Sequence, residues 1–263
     1  MAERTIETRR GIKCRVREAG RGAPLVFLHG AGGLFPQEPL LDALAERYQV
    51  FAPTWPGFGA EAGEELLEEM LDFTLHGWDV VEALGLERPA LVGHSMGGMI
   101  AAEMAAVNAA AVETLALLAP VGVWLDAHPV ADIFAMTPFE LPRVLFADPK
   151  AGERLLTAGL DLGDNEALKG FMVGNTRRLG TAGKILFPVP NRRFSKRAYR
   201  VSARTLICWG EQDRLVPPVY AEAWQRLIAG SEVARIAGAG HMLTVEQPRA
   251  VADAIAKFVS TAS

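Results

Sequence analysis

Gly93-His94-Ser95-Met96-Gly97-Gly98 stands between an apolar run, Pro89-Ala90-Leu91-Val92, and a helix-forming stretch, Met99 to Ala106. A strand that turns at once into a helix holds its apical residue in strained backbone and leaves no room for side chains two positions to either side. Glycine is therefore required at 93 and 97, and the Ser95 hydroxyl is held out in the open. The turn also puts the Met96 N–H at the start of a helix, where unpaired amides and the helix dipole favour a developing negative charge. A glycine-rich loop that merely packs closely would share the glycines. The strand before and the helix after are the context in which the pattern marks a nucleophile.

Serine is a poor nucleophile at neutral pH and needs a base, which in turn needs an orienting acid. The apolar strand Thr205-Leu206-Ile207-Cys208-Trp209 runs into a loop that carries Asp213. A second strand ends at Ile236 and leads to Gly240-His241. His241 is expected to take the serine proton and return it to the leaving group, while Asp213 fixes the ring tautomer. Asp126, also past a strand, competes for the role of acid.

Pro24-Leu25-Val26-Phe27-Leu28 reads as a buried strand running into His29-Gly30-Ala31-Gly32-Gly33. This stretch, with the serine turn and the Ser, Asp, His order, resembles the α/β-hydrolase superfamily, as do the opening hairpin from Thr5 to Glu18 and the Pro56-Gly57-Phe58-Gly59 turn. The resemblance implies an α/β fold: a mostly parallel eight-stranded sheet flanked by helices, with a helical cap insertion. It also implies that the Ala31 and Met96 N–H groups form the oxyanion hole, each such donor being worth about 2.7–4 kcal/mol. His29 is expected to brace its loop. An aspartate nucleophile would have implied a dehalogenase or an epoxide hydrolase, and serine argues against both. The chain departs from the family pattern at Thr54-Trp55, where an acidic residue commonly precedes the Pro-Gly turn, and at Ala60-Glu61, where serine often follows it.

A chain of 263 residues suits one large α/β domain with a modest insertion. Its 27 Lys and Arg against 31 Asp and Glu leave a net charge of −4, so no basic field recruits nucleic acid or anionic lipid. The expected partner is a small-molecule substrate, with no nucleic acid and no membrane; a homo-oligomer stays open. Two cysteines, Cys14 and Cys208, make no disulfide framework, and the N-terminus lacks the apolar core of a secretory signal. Both fit the cytoplasm.

Alternating apolar strands and amphipathic segments predict a sheet covered on both faces. Thr114 to Ala119 reads as a strand, Glu64 to Leu84 as one helix with an acidic start, and Pro248 to Val259 as a closing helix. The cluster of Glu64, Glu65, Glu68 and Glu69 reads as a solvated face, and no metal site is expected. The expected division is a core of residues 1–120 and 204–263 and a cap of residues 121–203. In the cap, prolines 129, 138, 142 and 149 break the chain into short helices. Trp124, Phe134 and Phe139, with Met242 after the base, are expected to line the substrate pocket. Arg177-Arg178 and Arg192-Arg193 are candidate anchors for a substrate carboxylate.

The residues and the resemblance together predict a cofactor-independent serine hydrolase that cleaves small, largely apolar esters through an acyl-enzyme. Two alternatives remain. One is carbon–carbon hydrolysis of dienoic ring-cleavage products, although many such enzymes have Asn before the serine and Trp after the histidine, where this chain has His94 and Met242. The other is a ligand-sensing receptor of the same fold.

Overall fold

Each short apolar run forms a strand, and the sheet they build carries the site beyond the carboxyl ends of its parallel strands. A computed structural model describes residues 1–157, 160–161, 163–189 and 194–260. The strands β1 (Ala2–Glu7) and β2 (Lys13–Ala19) form an antiparallel hairpin. They are followed by β3 (Pro24–Leu28), β4 (Gln49–Pro53), β5 (Ala90–His94), β6 (Thr114–Leu118), β7 (Arg204–Gly210) and β8 (Glu232–Ile236). These pair in the order β1-β2-β4-β3-β5-β6-β7-β8, with β1–β2 and β2–β4 antiparallel and every other pairing parallel.

The central strands β3, β5, β6 and β7 are buried at every position but the first, as unbroken apolar runs covered on both faces should be. Edge strand β8 is mostly half-buried or exposed. Helix α1 (Pro39–Ala45) precedes β4, α2 (Met70–Ala83) precedes β5, and α3 (Met96–Val107) links β5 to β6. After β7 come α7 (Tyr220–Leu227), α8 (Leu243–Glu246) and α9 (Pro248–Ser260). Helix α2 packs on α3 and α1 on α9, the latter burying Val251, Ile255 and Phe258.

The single helix predicted over 64–84 is instead two elements. Glu64–Leu66 is one 3₁₀ turn, and α2 starts only at Met70. The Asp72 carboxylate accepts the N–H groups of Glu68 and Glu69 and so ends the chain's approach to the helix there. Nor is the acidic cluster wholly a solvated face: Glu64 is held by Arg177 at 2.7 Å.

Between β6 and β7 lie α4 (Leu141–Leu145), α5 (Pro149–Thr157) and α6 (Asn165–Leu186). Helix α6 is seated on the 57–67 loop. Arg177 donates to the Gly59 and Glu61 carbonyls, and Lys184 to those of Glu64 and Leu67. Gly57, at φ +84°, leaves no space for a Cβ, which would lie 2.3 Å from Thr181 Oγ1. From Phe194 the chain is back on the core: the Phe194 ring packs on Trp224, and Arg197 grips the buried Glu103 carboxylate with two nitrogens.

Candidate active site

Ser95 is the hinge between β5 and α3, with φ +53° and ψ −112°, a conformation that non-glycine residues rarely hold. The surrounding glycines make it possible. A Cβ on Gly93 would lie 2.3 Å from the Gly97 oxygen, and one on Gly97 would lie 2.0 Å from the Leu28 oxygen. The Ser95 N–H donates to the Leu118 carbonyl of the neighbouring strand, which fixes the turn against the sheet.

Asp213 follows β7 and His241 follows β8, and the parallel pairing of those strands brings the two loops together. Gly210 and Gly240 touch so closely that a Cβ on Gly210 would lie 2.1 Å from the Gly240 oxygen. His241 Nε2 is 2.8 Å from Ser95 Oγ, and His241 Nδ1 is 2.8 Å from Asp213 Oδ2. The other Asp213 oxygen accepts the N–H groups of Leu215 and Val216, both at 2.9 Å. All three side chains are buried. This relay can draw a proton from a hydroxyl and hold the resulting imidazolium. Asp126 takes no part, being exposed and bonded to the Trp124 indole at 2.8 Å.

The glycine loop after β3 lies beside Ser95, a Cβ on Gly30 being 3.4 Å from Ser95 Cβ. Ala31, on this loop, lines the same cavity as Ser95, and Met96 opens α3 directly after Ser95. His29 braces the loop. Its Nε2 accepts the Trp55 N–H, which leaves Nδ1 to donate to the Gly30 carbonyl. Burial pushes His29 down to about 4 and His94 down to about 3, so both rings are neutral near pH 7. His94 Nε2 donates to the His241 backbone carbonyl at 2.8 Å.

Above Ser95 opens a cavity of about 610 Å³, walled by the glycine loop, Ser95, His241 and the inner side of the β6–β7 insertion. Phe134 and Met242 line it, as do Leu141, Leu145 and Leu215. Trp124 and Phe139 do not. Trp124 is held away by its indole bond to Asp126. Phe139 is 49% exposed: the turn from Thr137, closed by the Glu140 carboxylate, sends Pro138 and Leu141 inward and Phe139 out. Arg178 lines the cavity and Arg177 is tied to Glu64, whereas Arg192-Arg193 lie outside the described residues.

The sequence profile of the alpha/beta hydrolase family matches residues 25–254, from β3 to α9. The chain belongs to the alpha/beta hydrolase family. The chain is 34% identical over 259 residues to the dihydrolipoyllysine-residue acetyltransferase component of the acetoin cleaving system of Cupriavidus necator. That match covers 90% of this chain but only 64% of the relative, so the chain spans less than two thirds of its length. It is 25% identical over 262 residues to a 2-hydroxy-6-oxo-6-(2'-aminophenyl)hexa-2,4-dienoic acid hydrolase of Metapseudomonas resinovorans, covering 95% of this chain and 88% of that one. An esterase from Rhodococcus sp. shares the fold at TM-score 0.75 and 22% identity, with 100% of each chain covered. A meta-cleavage product hydrolase from Pseudomonas fluorescens IP01 does so at 0.79 and 21%, covering 99% of this chain and 98% of that one.

Three side chains around the site carry no signal of their own in the sequence. His94 was visible only as the neighbour of Ser95. Arg214, beside Asp213, donates to the Arg143 and Phe146 carbonyls at the end of α4. Glu246 accepts from Gly240 and Ala147. Among the described residues no group of three or more His, Cys, Asp or Glu is arranged to hold a metal ion. No helix among them is long and apolar enough to cross a membrane.

Proposed function

We propose that this alpha/beta hydrolase is a cofactor-independent serine hydrolase that cleaves small, largely apolar carboxylic esters through an acyl-enzyme. The observation that carries the reading is the continuous chain Ser95 Oγ–His241–Asp213, with both links at 2.8 Å, opening into a cavity with a mostly apolar wall. His241 Nε2 takes the Ser95 proton as Oγ attacks the ester carbonyl, and the Ala31 and Met96 N–H groups bind the oxyanion. As the tetrahedral intermediate collapses, the imidazolium gives its proton to the departing alkoxide. Water, activated by the same ring, then releases the acid. Asp213 holds the Nδ1 proton throughout and keeps Nε2 free to act. Two buried free cysteines suit a reducing compartment, so the cytoplasm is the proposed location.

Carbon–carbon hydrolysis is the second reading, favoured by the 25% identity to a dienoic acid hydrolase over nearly the whole chain. The same relay could serve it. Steady-state assays with p-nitrophenyl esters and with a dienoate ring-cleavage product, run side by side, separate the two. Sustained turnover of short and medium esters at rates above the dienoate supports the ester reading, and the opposite ranking replaces it. Turnover of neither, with ligand-dependent melting shifts alone, would indicate a receptor.

A further inference from the structure

The cavity over Ser95 has one cationic side chain among its described lining residues, Arg178 of α6. Its neighbour Arg177 is fully committed: Nε and Nη2 reach the Glu64 carboxylate at 2.8 and 2.7 Å, and Nη1 reaches the Gly59 carbonyl at 2.7 Å. Arg178 forms no hydrogen bond or ion pair among the described residues, and burial alone lowers its pKa from the usual guanidinium range. It stays charged, because guanidinium does not deprotonate in proteins. The one carboxylate on the cavity wall among those residues, Glu166, is exposed and faces Lys169 at 3.8 Å.

Position ties this cation to the reaction. A Cβ on Gly33 would lie 3.5 Å from Arg178 Cδ, so the side chain crosses the glycine loop. Gly33 N–H bonds the Gly30 carbonyl, and Gly30 lies against Ser95. The guanidinium lies along its own helix, with Nη1 3.5 Å from where a Gly174 Cβ would stand, next to Asn175 on the cavity wall. A partly desolvated charge with no counter-charge is unfavourable to hold, and an entering anion would relieve it. The planar fork of arginine suits a carboxylate in a bidentate pair.

We infer that Arg178 is a specificity residue that binds a carboxylate on the substrate, so that the ester cleaved here carries an acid group at the far end of an apolar chain. This rests on the ester-hydrolase reading above. The wall supplies both halves of the recognition, with Leu141, Leu145 and Phe134 for the chain and Arg178 for its end.

The test compares kcat/KM for mono-p-nitrophenyl adipate with that for p-nitrophenyl hexanoate, which has the same acyl length without the acid. The native enzyme should favour the adipate, mostly through KM, and Arg178→Met should reduce that preference by roughly tenfold. Arg178→Lys should retain part of it as a point charge. A preference unchanged in Arg178→Met, or absent from the native enzyme, overturns the assignment. A second measurement does not depend on turnover: calorimetric binding of hexanoate and hexanamide to Ser95→Ala. Tighter binding of hexanoate, lost in the Ser95→Ala/Arg178→Met double variant, supports the carboxylate site even if ester hydrolysis fails. Equal binding of both ligands rejects the site while leaving the hydrolase reading intact.

Discussion

The Glu246 carboxylate accepts the Gly240 N–H with one oxygen at 2.8 Å and the Ala147 N–H with the other at 2.7 Å. Gly240 immediately precedes His241, and Ala147 follows α4, so one side chain joins the histidine loop to the insertion over the cavity. The Met242 N–H adds a bond to the Leu145 carbonyl, and Gly240 has no space for a Cβ, which would lie 2.8 Å from Ala147 N. Glu246→Ala leaves two N–H groups without an acceptor and should cost about 1–3 kcal/mol of stability. Because His241 loses its fixed position, kcat should fall by roughly tenfold or more while KM changes less. Glu246→Gln, which keeps one acceptor oxygen, should recover part of kcat. Thermal melts and steady-state kinetics on the three proteins check this, and an unchanged kcat in Glu246→Ala would show that the link does not position the base.

The acid is Asp213 in this account. Asp213→Asn should lower turnover by about 10³–10⁴-fold, since the amide presents the wrong hydrogen-bond pattern to His241 Nδ1. Asp126→Asn keeps an oxygen that can accept the Trp124 indole N–H at the surface and should leave turnover within a factor of about two. The reverse pattern reassigns the acid.

Acyl-chain preference should follow the side chains that line the cavity. Phe134→Ala opens space along the wall and should shift the optimum toward longer or bulkier chains, each further buried methylene being worth about 0.8 kcal/mol. Trp124→Ala and Phe139→Ala should leave the chain-length profile unchanged. A shifted profile in either of these two would put that ring in the pocket.

Stability should fall on mild acidification. His29 and His76 are lowered to about 4 and His94 to about 3, all chiefly by burial, so as pH drops below 6.5 the unfolded chain takes up protons that the native state refuses. Glu38 opposes them: burial raises it to about 7, so its contribution is greatest below 4.5 and is lost as pH rises toward 7. Between pH 4.5 and 6.5 three groups act against one, each at about 1.4 kcal/mol per pH unit, and the histidines prevail. Neither ring nitrogen of His76 has a hydrogen-bond partner among the described residues, so His76→Leu should be tolerated and should flatten the acid side of the melting profile. Glu38→Gln should steepen it. Melting temperatures from pH 4.5 to 7.5 read both slopes, and a flat native profile would contradict the account.

The sheet and the Ser95–His241–Asp213 cluster were legible because parallel strands covered on both faces are unbroken apolar runs, with Ser95 and Asp213 just past the ends of two of them and His241 past the edge strand β8. The start of α2 was not, since the Asp72 carboxylate that sets it binds backbone on the preceding turn. The cavity wall was legible only in part. Proline-broken segments have no sustained period, so nothing in the pattern told Pro138 and Leu141, which face in, from Phe139, which faces out. Glu246 and Arg214 act on backbone groups distant in the chain, and only the tertiary packing brings these together.

An activated Ser95 hydroxyl should attack a phosphorus electrophile. Treating the native protein with a fluorophosphonate and measuring intact mass tests it most directly. One phosphonyl adduct is expected, mapped to Ser95 by peptide sequencing, absent from Ser95→Ala, and formed much more slowly in Asp213→Asn. An unmodified native protein, or equal labelling of Ser95→Ala, would contradict it.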